Sequence, residues 1–142
     1  MMVKLIDILL IEDNEDHAEL IRQTLEDKRI ANTIIHFDNA EKALAYLNNS
    51  TSNLPGVVLL DLNLPGMSGH EFLVTIKSSD ILKFIPVVVL TTSSGEKDRV
   101  TAYEHHVNSY LVKPIDAWQF EKMVADLGFY WALWNKPSTK VT

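Results

Sequence analysis

The sequence predicts a doubly wound α/β sandwich around a parallel five-stranded sheet. Two observations carry this expectation. Short apolar runs alternate along the chain with stretches whose apolar residues recur at helical spacing. The runs are apolar nearly throughout, as strands are when helices cover both faces of a parallel sheet.

The elements follow in order. LIDILLIE, from Leu5 to Glu12, reads as strand one, and NEDHAELIRQTLEDK then sets Ala18, Leu20, Ile21 and Leu25 on one helical face. TIIHF is strand two, and DNAEKALAYLNN is a helix capped by Asp38 or Asn39. Ser50 to Gly56 is dense in turn formers and leads to strand three, VVLLD. Ser68 is placed to cap a helix through GHEFLVTIKS. Ile85 to Thr92 is strand four, followed by a polar break and the helix EKDRVTAYEHH. SYLVK is strand five, ended by Pro114, and a last helix starts near Asp116. Right-handed crossovers turn these five β-α units into a flavodoxin-like (βα)5 sandwich of strand order 2-1-3-4-5. Its ligand crevice then lies at the carboxyl ends of strands one and three.

The 142 residues are expected to form one domain, with a core over about residues 5–127 and an aromatic extension over 128–142. A net charge of −6 argues against a nucleic-acid surface, because phosphate contacts require clustered Lys and Arg. The absence of cysteine excludes a disulfide framework, a thiolate metal site and a thiol nucleophile. Met1 to Lys4 leads directly into an apolar strand, so no signal peptide is expected. No apolar run approaches the roughly 20 residues that span a bilayer. A cytoplasmic protein with no membrane contact is the expectation.

The strand ends carry the chemistry. Strand one ends on Glu12-Asp13, strand three on Asp61, strand four on Thr91-Thr92 and strand five on Lys113. Taken singly each is an ordinary polar terminus: Asp13 a helix cap, Thr91 a strand end, Lys113 a solvated cation. Together they place three carboxylates, a hydroxyl and an ammonium on one edge of the sheet. Carboxylates so close repel one another unless a cation lies between them. Hard oxygen donors select Mg²⁺ or Mn²⁺, and Mg²⁺ leaves room for a phosphate oxygen. A metal site, a Lys, a hydroxyl and a carboxylate nucleophile amount to a phosphoryl-transfer site, which works by positioning and charge stabilisation. Asp61, on the central strand, is the nucleophile candidate, and Glu12-Asp13 the metal holders.

LLIEDNEDH, VVLLDLNLPGMSGHEFL, IPVVVLTTS and SYLVKP, in that order and spacing, resemble the receiver domain of two-component response regulators. That resemblance implies that Asp61 accepts phosphate from a phosphohistidine on a sensor histidine kinase. It implies that Asp13, Asp61 and the backbone carbonyl of Asn63 bind Mg²⁺, with Glu12 acting through water. Thr91 and Lys113 would contact the phosphoryl group, and Tyr110 matches the switch aromatic that turns inward as Thr91 moves. Thr92 is larger than the Ala or Gly common at its position, which would slow water's access to the acyl phosphate. The stretch HVNSYLVKPIDAWQFEKMVADLGFYWALWNKP narrows the resemblance to the small response regulators of cyanobacterial and bacterial phytochromes. A phytochrome-type photoreceptor kinase is then the implied partner.

No DNA-binding output domain is expected after Leu127, since residues 128–142 are too few to form one. Phe120, Met123, Val124 and Leu127 form an apolar stripe that Tyr130, Trp131 and Trp134 extend across Gly128. Such a tail either folds back or marks a contact surface. The family habit of pairing through the fourth helix, fifth strand and fifth helix implies a homodimer, with Trp118, Phe129, Tyr130, Trp131 and Trp134 as its added surface. Pro137 and STKVT are expected to fray. His36 reads as structural, and His17, His70, His105 and His106 as solvated. Three competing readings are weaker. A dehalogenase-type hydrolase needs a second Asp where Asn63 stands. Flavin binding lacks a phosphate loop after strand one. A phosphorylation-independent interaction module does not explain the complete acidic set.

Overall fold

The structure is a computed structural model describing residues 6–31, 33–49 and 53–136. Five strands, β1 (Ile8–Ile11), β2 (Ile34–Phe37), β3 (Val57–Leu60), β4 (Val87–Thr91) and β5 (Ser109–Val112), alternate with helices. These are α1 (Glu15–Asp27), α2 (Ala40–Asn49), α3 (Gly69–Lys77), α4 (Glu96–Glu104) and α5 (Ala117–Phe129). The sheet is parallel, in the order β2-β1-β3-β4-β5. The expected doubly wound fold is therefore the observed one.

Period-two alternation in the strands splits the core between two faces. Leu9, Ile11, Val58, Leu60, Val87 and Val89 pack with residues of α2, α3 and α4, including Leu47, Phe72 and Ala102. Ile8, Leu10, Val57, Leu59, Val88 and Leu90 pack with residues of α1 and α5, including Ile21, Leu25, Phe120 and Val124. Both sets are almost wholly buried, which is why the strands read as continuous apolar runs.

The caps are local and specific. Asn14, not Asp13, caps α1, its side chain accepting from the His17 N–H. Asn39 takes that role at α2 through the Lys42 N–H. Ser68 and Glu71 form a reciprocal capping box at α3. Asp116 caps α5 by accepting from the N–H groups of Trp118 and Gln119. Replacing Asp116 with alanine is expected to cost about 1 kcal/mol, measured by urea denaturation.

The strands are shorter than the apolar runs. β1 begins at Ile8, and Glu12, Thr92 and Lys113 lie just past the last ladder residues of β1, β4 and β5. α4 ends at Glu104, and His106 turns the chain with a φ of 69°. A 3₁₀ turn at Leu82–Phe84, unread in the sequence, is set by Ser79 Oγ accepting from the Ile81 and Leu82 N–H groups. The last helix runs through Gly128 as expected, but a π-helical turn at Tyr130–Trp134 breaks the expected apolar stripe, burying Ala132 and leaving Tyr130 and Trp134 exposed. Gly128 lets α5 approach α1 closely: a Cβ there would lie 2.6 Å from Leu25 Cδ2, and the Leu25 side chain would have to shift. Leu5, Ser50 to Ser52 of the expected loop, and the expected frayed end from Pro137 onward lie outside the described residues. No helix among the described residues is long and apolar enough to cross a membrane.

Candidate functional site

Register brings the acidic residues together. Ile11 pairs with Leu60, so Glu12 and Asp61, one residue further on, leave the sheet side by side. The Asp61 N–H donates to the Ile11 carbonyl at 3.1 Å, extending the ladder past the last strand residue. On the other flank the Lys113 N–H donates to the Thr91 carbonyl at 2.7 Å. Four strand ends therefore converge as their sequence positions suggested.

Lys113 lies at the centre of the cluster. It is buried and forms an ion pair with buried Glu12, and its Nζ lies 3.4 Å from Asp61 Oδ2. Asp61 Oδ1 accepts from the Asn63 N–H at 3.3 Å. Asp13 and Asn63 are exposed at the mouth. Oxygen atoms of Glu12, Asp13 and Asp61 all lie within 4.8 Å of one another. Three carboxylates and one ammonium leave the cluster anionic. A compact all-oxygen donor set suits a hard divalent cation, so these residues fit the metal that the sequence implied.

Burial decides the ionisation of Glu12. It pushes the carboxyl up to about 7, against the pull of Lys113, with Asp61 adding a smaller push upward. Its folded value thus exceeds the unfolded value, and the sign of the linkage follows. In metal-free protein this stabilising contribution is fully present below about pH 4.5 and is lost as pH rises through about 7. Denaturant titrations in EDTA from pH 5 to 8 are expected to show that decline in the parent and its absence in Glu12→Gln.

Two histidines join the site in ways the sequence did not reveal. The Lys113 ammonium, which can only donate, reaches His17 Nδ1 at 3.0 Å. Desolvation and the nearby Lys113 lower the His17 pKa, as suits an acceptor. His17 is thus partly buried against the pocket, with its ring edge-on to Phe120 at 5.5 Å, not merely solvated at the rim. His36 Nε2 donates to the Glu12 carbonyl at 2.8 Å and steadies the acidic turn, in keeping with its structural reading. His70 bonds to Asp98 and is also not simply solvated.

Thr91 is fully buried at the end of β4, whereas Thr92 is exposed. Tyr110 is half-buried, and its hydroxyl donates to the Ser93 carbonyl at 2.9 Å. The aromatic residues of the C-terminal region divide between faces. Trp118 and Phe129 line a hollow beside α1, and Tyr130 and Trp131 line another beside β5. Trp131 is half-buried against the α1–α5 core, while Trp118, Tyr130 and Trp134 are exposed.

A parallel 2-1-3-4-5 sheet with this acidic pocket and buried Lys defines a phosphoacceptor-type signalling domain. The profile of the response regulator receiver domain matches residues 8–125, and the chain belongs to that family. It is 44% identical to the probable methanogenesis regulatory protein FilR2 of Methanothrix harundinacea, over 91% of this chain and 85% of that protein. It is 40% identical to the response regulator Rcp1 of Synechocystis sp., over 87% of each. The Mn²⁺-bound structure of Rcp1 superposes with a TM-score of 0.88 at 37% identity, covering 94% of this chain and 99% of that one. The phosphorylated cyanobacterial phytochrome response regulator RcpA gives 0.89 at 34% identity, with the same coverage. Receiver domains are in general non-enzymatic phosphoacceptors that bind a divalent metal in the acidic pocket.

Proposed function

We propose that Asp61 is the phosphoacceptor of a two-component response regulator, taking its phosphoryl group from a phosphohistidine on a sensor histidine kinase. The observation that carries this is the buried Lys113 held between buried Glu12 and Asp61, with the exposed Asp13 completing a compact set of three carboxylates. An Asp61 carboxylate oxygen attacks phosphorus, the P–N bond to the donor imidazole breaks, and an acyl phosphate forms. Lys113, already within reach of Asp61, neutralises a phosphoryl oxygen as charge shifts. The Thr91 hydroxyl contacts the phosphoryl group, and Tyr110 responds to the Thr91 loop. Glu12, Asp13, Asp61 and the Asn63 carbonyl would hold Mg²⁺ or Mn²⁺, which when bound supplies charge neutralisation for the incoming phosphate. In this reading the chain is not a metabolic enzyme but acts on its own aspartate.

Similarity to the cyanobacterial phytochrome response regulator RcpA supports a phytochrome-type kinase as donor. Exposed Val100, Tyr103, Val112, Trp118, Tyr130 and Trp134 support a homodimer through α4, β5, α5 and the C-terminal turn. Signalling is then by protein contact in the cytoplasm. Transfer from a radiolabelled phosphorylated phytochrome kinase tests the donor. Label is expected to move to this chain and not to Asp61→Asn, and retention of all label on the kinase would contradict the assignment. Metal binding has its own check. Mg²⁺ at about 100 times its Kd is expected to add about 2.7 kcal/mol of stability, with most of the gain lost in Asp13→Asn.

A further inference from the structure

We propose that His70 is a positioning residue for Thr91, acting through Asp98 and Ser93; this deepens, and rests on, the reading of Asp61 as phosphoacceptor. Ser93 is the hub of the arrangement. Its backbone N–H donates to Thr91 Oγ1 at 3.3 Å, its hydroxyl donates to Asp98 Oδ2 at 2.6 Å, and its carbonyl accepts from the Tyr110 hydroxyl at 2.9 Å. The other oxygen of Asp98 lies 3.1 Å from His70 Nε2. Hydrogen bonds from Ser93 and then His70 hold the Asp98 carboxyl below the usual carboxylate range. An ionised carboxylate only accepts, so His70 Nε2 carries the hydrogen. His70 Nδ1 is buried without a partner, so among the described contacts Asp98 alone orients the ring.

The placement of these groups gives them a purpose. His70 follows Gly69, whose N–H donates to the Leu62 carbonyl and at which an added Cβ would lie 2.5 Å from the Asp61 carbonyl oxygen. It therefore sits on the segment that leaves the phosphoacceptor. Asp98 and Ser93 belong to the segment that leaves Thr91. The chain of bonds spans the two sides of the pocket and sets the position of one relative to the other. It also occupies an acceptor position on the Thr91 hydroxyl. With a lone pair occupied by the Ser93 N–H, the Thr91 O–H is left to donate elsewhere, as contact with a phosphoryl oxygen requires. A hydroxyl already free to donate has less to reorganise when Thr91 moves onto the phosphoryl group, and so adds less to the barrier.

Initial rates of phosphorylation by acetyl phosphate and Mg²⁺, followed by intact mass, test this on the parent, His70→Leu, His70→Gln, Ser93→Ala and the Leu/Ala double variant. His70→Leu is expected to slow the reaction about three- to tenfold, the scale of one misplaced hydrogen bond. His70→Gln, whose amide can donate to Asp98, is expected to keep most of the parental rate. The double variant is expected to be no slower than Ser93→Ala, because both act through one chain of bonds. Parental rates in His70→Leu would overturn the proposal while leaving Asp61 as acceptor. So would multiplicative losses in the double variant, or equal slowing in the Leu and Gln variants together with lowered thermal midpoints. No adduct at Asp61 in the parent would instead remove the phosphoacceptor reading, and this proposal with it.

Discussion

Lys113→Met is expected to reduce phosphorylation of Asp61 by about a hundred- to a thousandfold, the loss typical of removing one preorganised charge-stabilising group. Methionine keeps much of the length and apolar stem of the side chain but removes the ammonium between Glu12 and Asp61. The same change costs stability. Removing one partner of a buried pair typically costs about 3–5 kcal/mol, because the other charge is left uncompensated. Here the cost depends on pH. Burial already pushes the Glu12 carboxyl up to about 7, so protonation relieves the exposed defect in acid. The destabilisation is therefore expected to be larger at pH 8 than at pH 6. Denaturant melts at the two pH values, alongside acetyl phosphate rates, check both arms.

Gly69→Ala is expected to be the most disruptive change of a single methyl group near the site. Gly69 precedes His70 at the start of α3, and a Cβ there would lie 2.5 Å from the Asp61 carbonyl oxygen and 2.6 Å from the Leu62 Cα. Both are backbone atoms, so no side-chain rotation relieves the overlap. The Gly69 N–H also donates to the Leu62 carbonyl at 3.0 Å, which pins the two segments together. Overpacking of this kind costs about 1–3 kcal/mol, occasionally more. Its functional loss should exceed what the lower stability explains, since the displaced backbone carries Asp61. Chemical denaturation and phosphorylation rates on the folded fraction separate the two effects. An alanine variant with parental stability and rate would show that the β3–α3 turn yields at no cost.

The sheet and the pocket were legible because they depend on order along the chain. Apolar runs mark buried strands, right-handed crossovers set their order, and Glu12, Asp61, Thr91 and Lys113 are the polar residues at which the runs stop. The runs overshoot the ladder because Glu12, Asp61, Thr92 and Lys113 continue the chain beyond the last paired residues. Other features depend on how elements dock, which local spacing does not encode. Nothing in NEDHAEL says that His17 faces Lys113, some ninety-six residues away in sequence. Likewise, no motif joins His70 to Asp98 across the space between α3 and α4. The end of α5 is the third such case. A steady helical period places Tyr130, Trp131 and Trp134 on one stripe, yet the π-turn at Tyr130–Trp134 changes the register. Ala132 is buried and Trp131 half-buried there, while Trp134 stays exposed.

Phosphoryl acceptance by Asp61 is the central claim, and intact mass after incubation with Mg²⁺ and acetyl phosphate tests it most directly. One phosphoryl adduct is expected on the parent chain and none on Asp61→Asn, with loss of the adduct when EDTA replaces Mg²⁺. An equal adduct on both chains, or none on the parent even with a phosphorylated cognate kinase, would contradict the claim and leave a receiver fold that signals by contact alone.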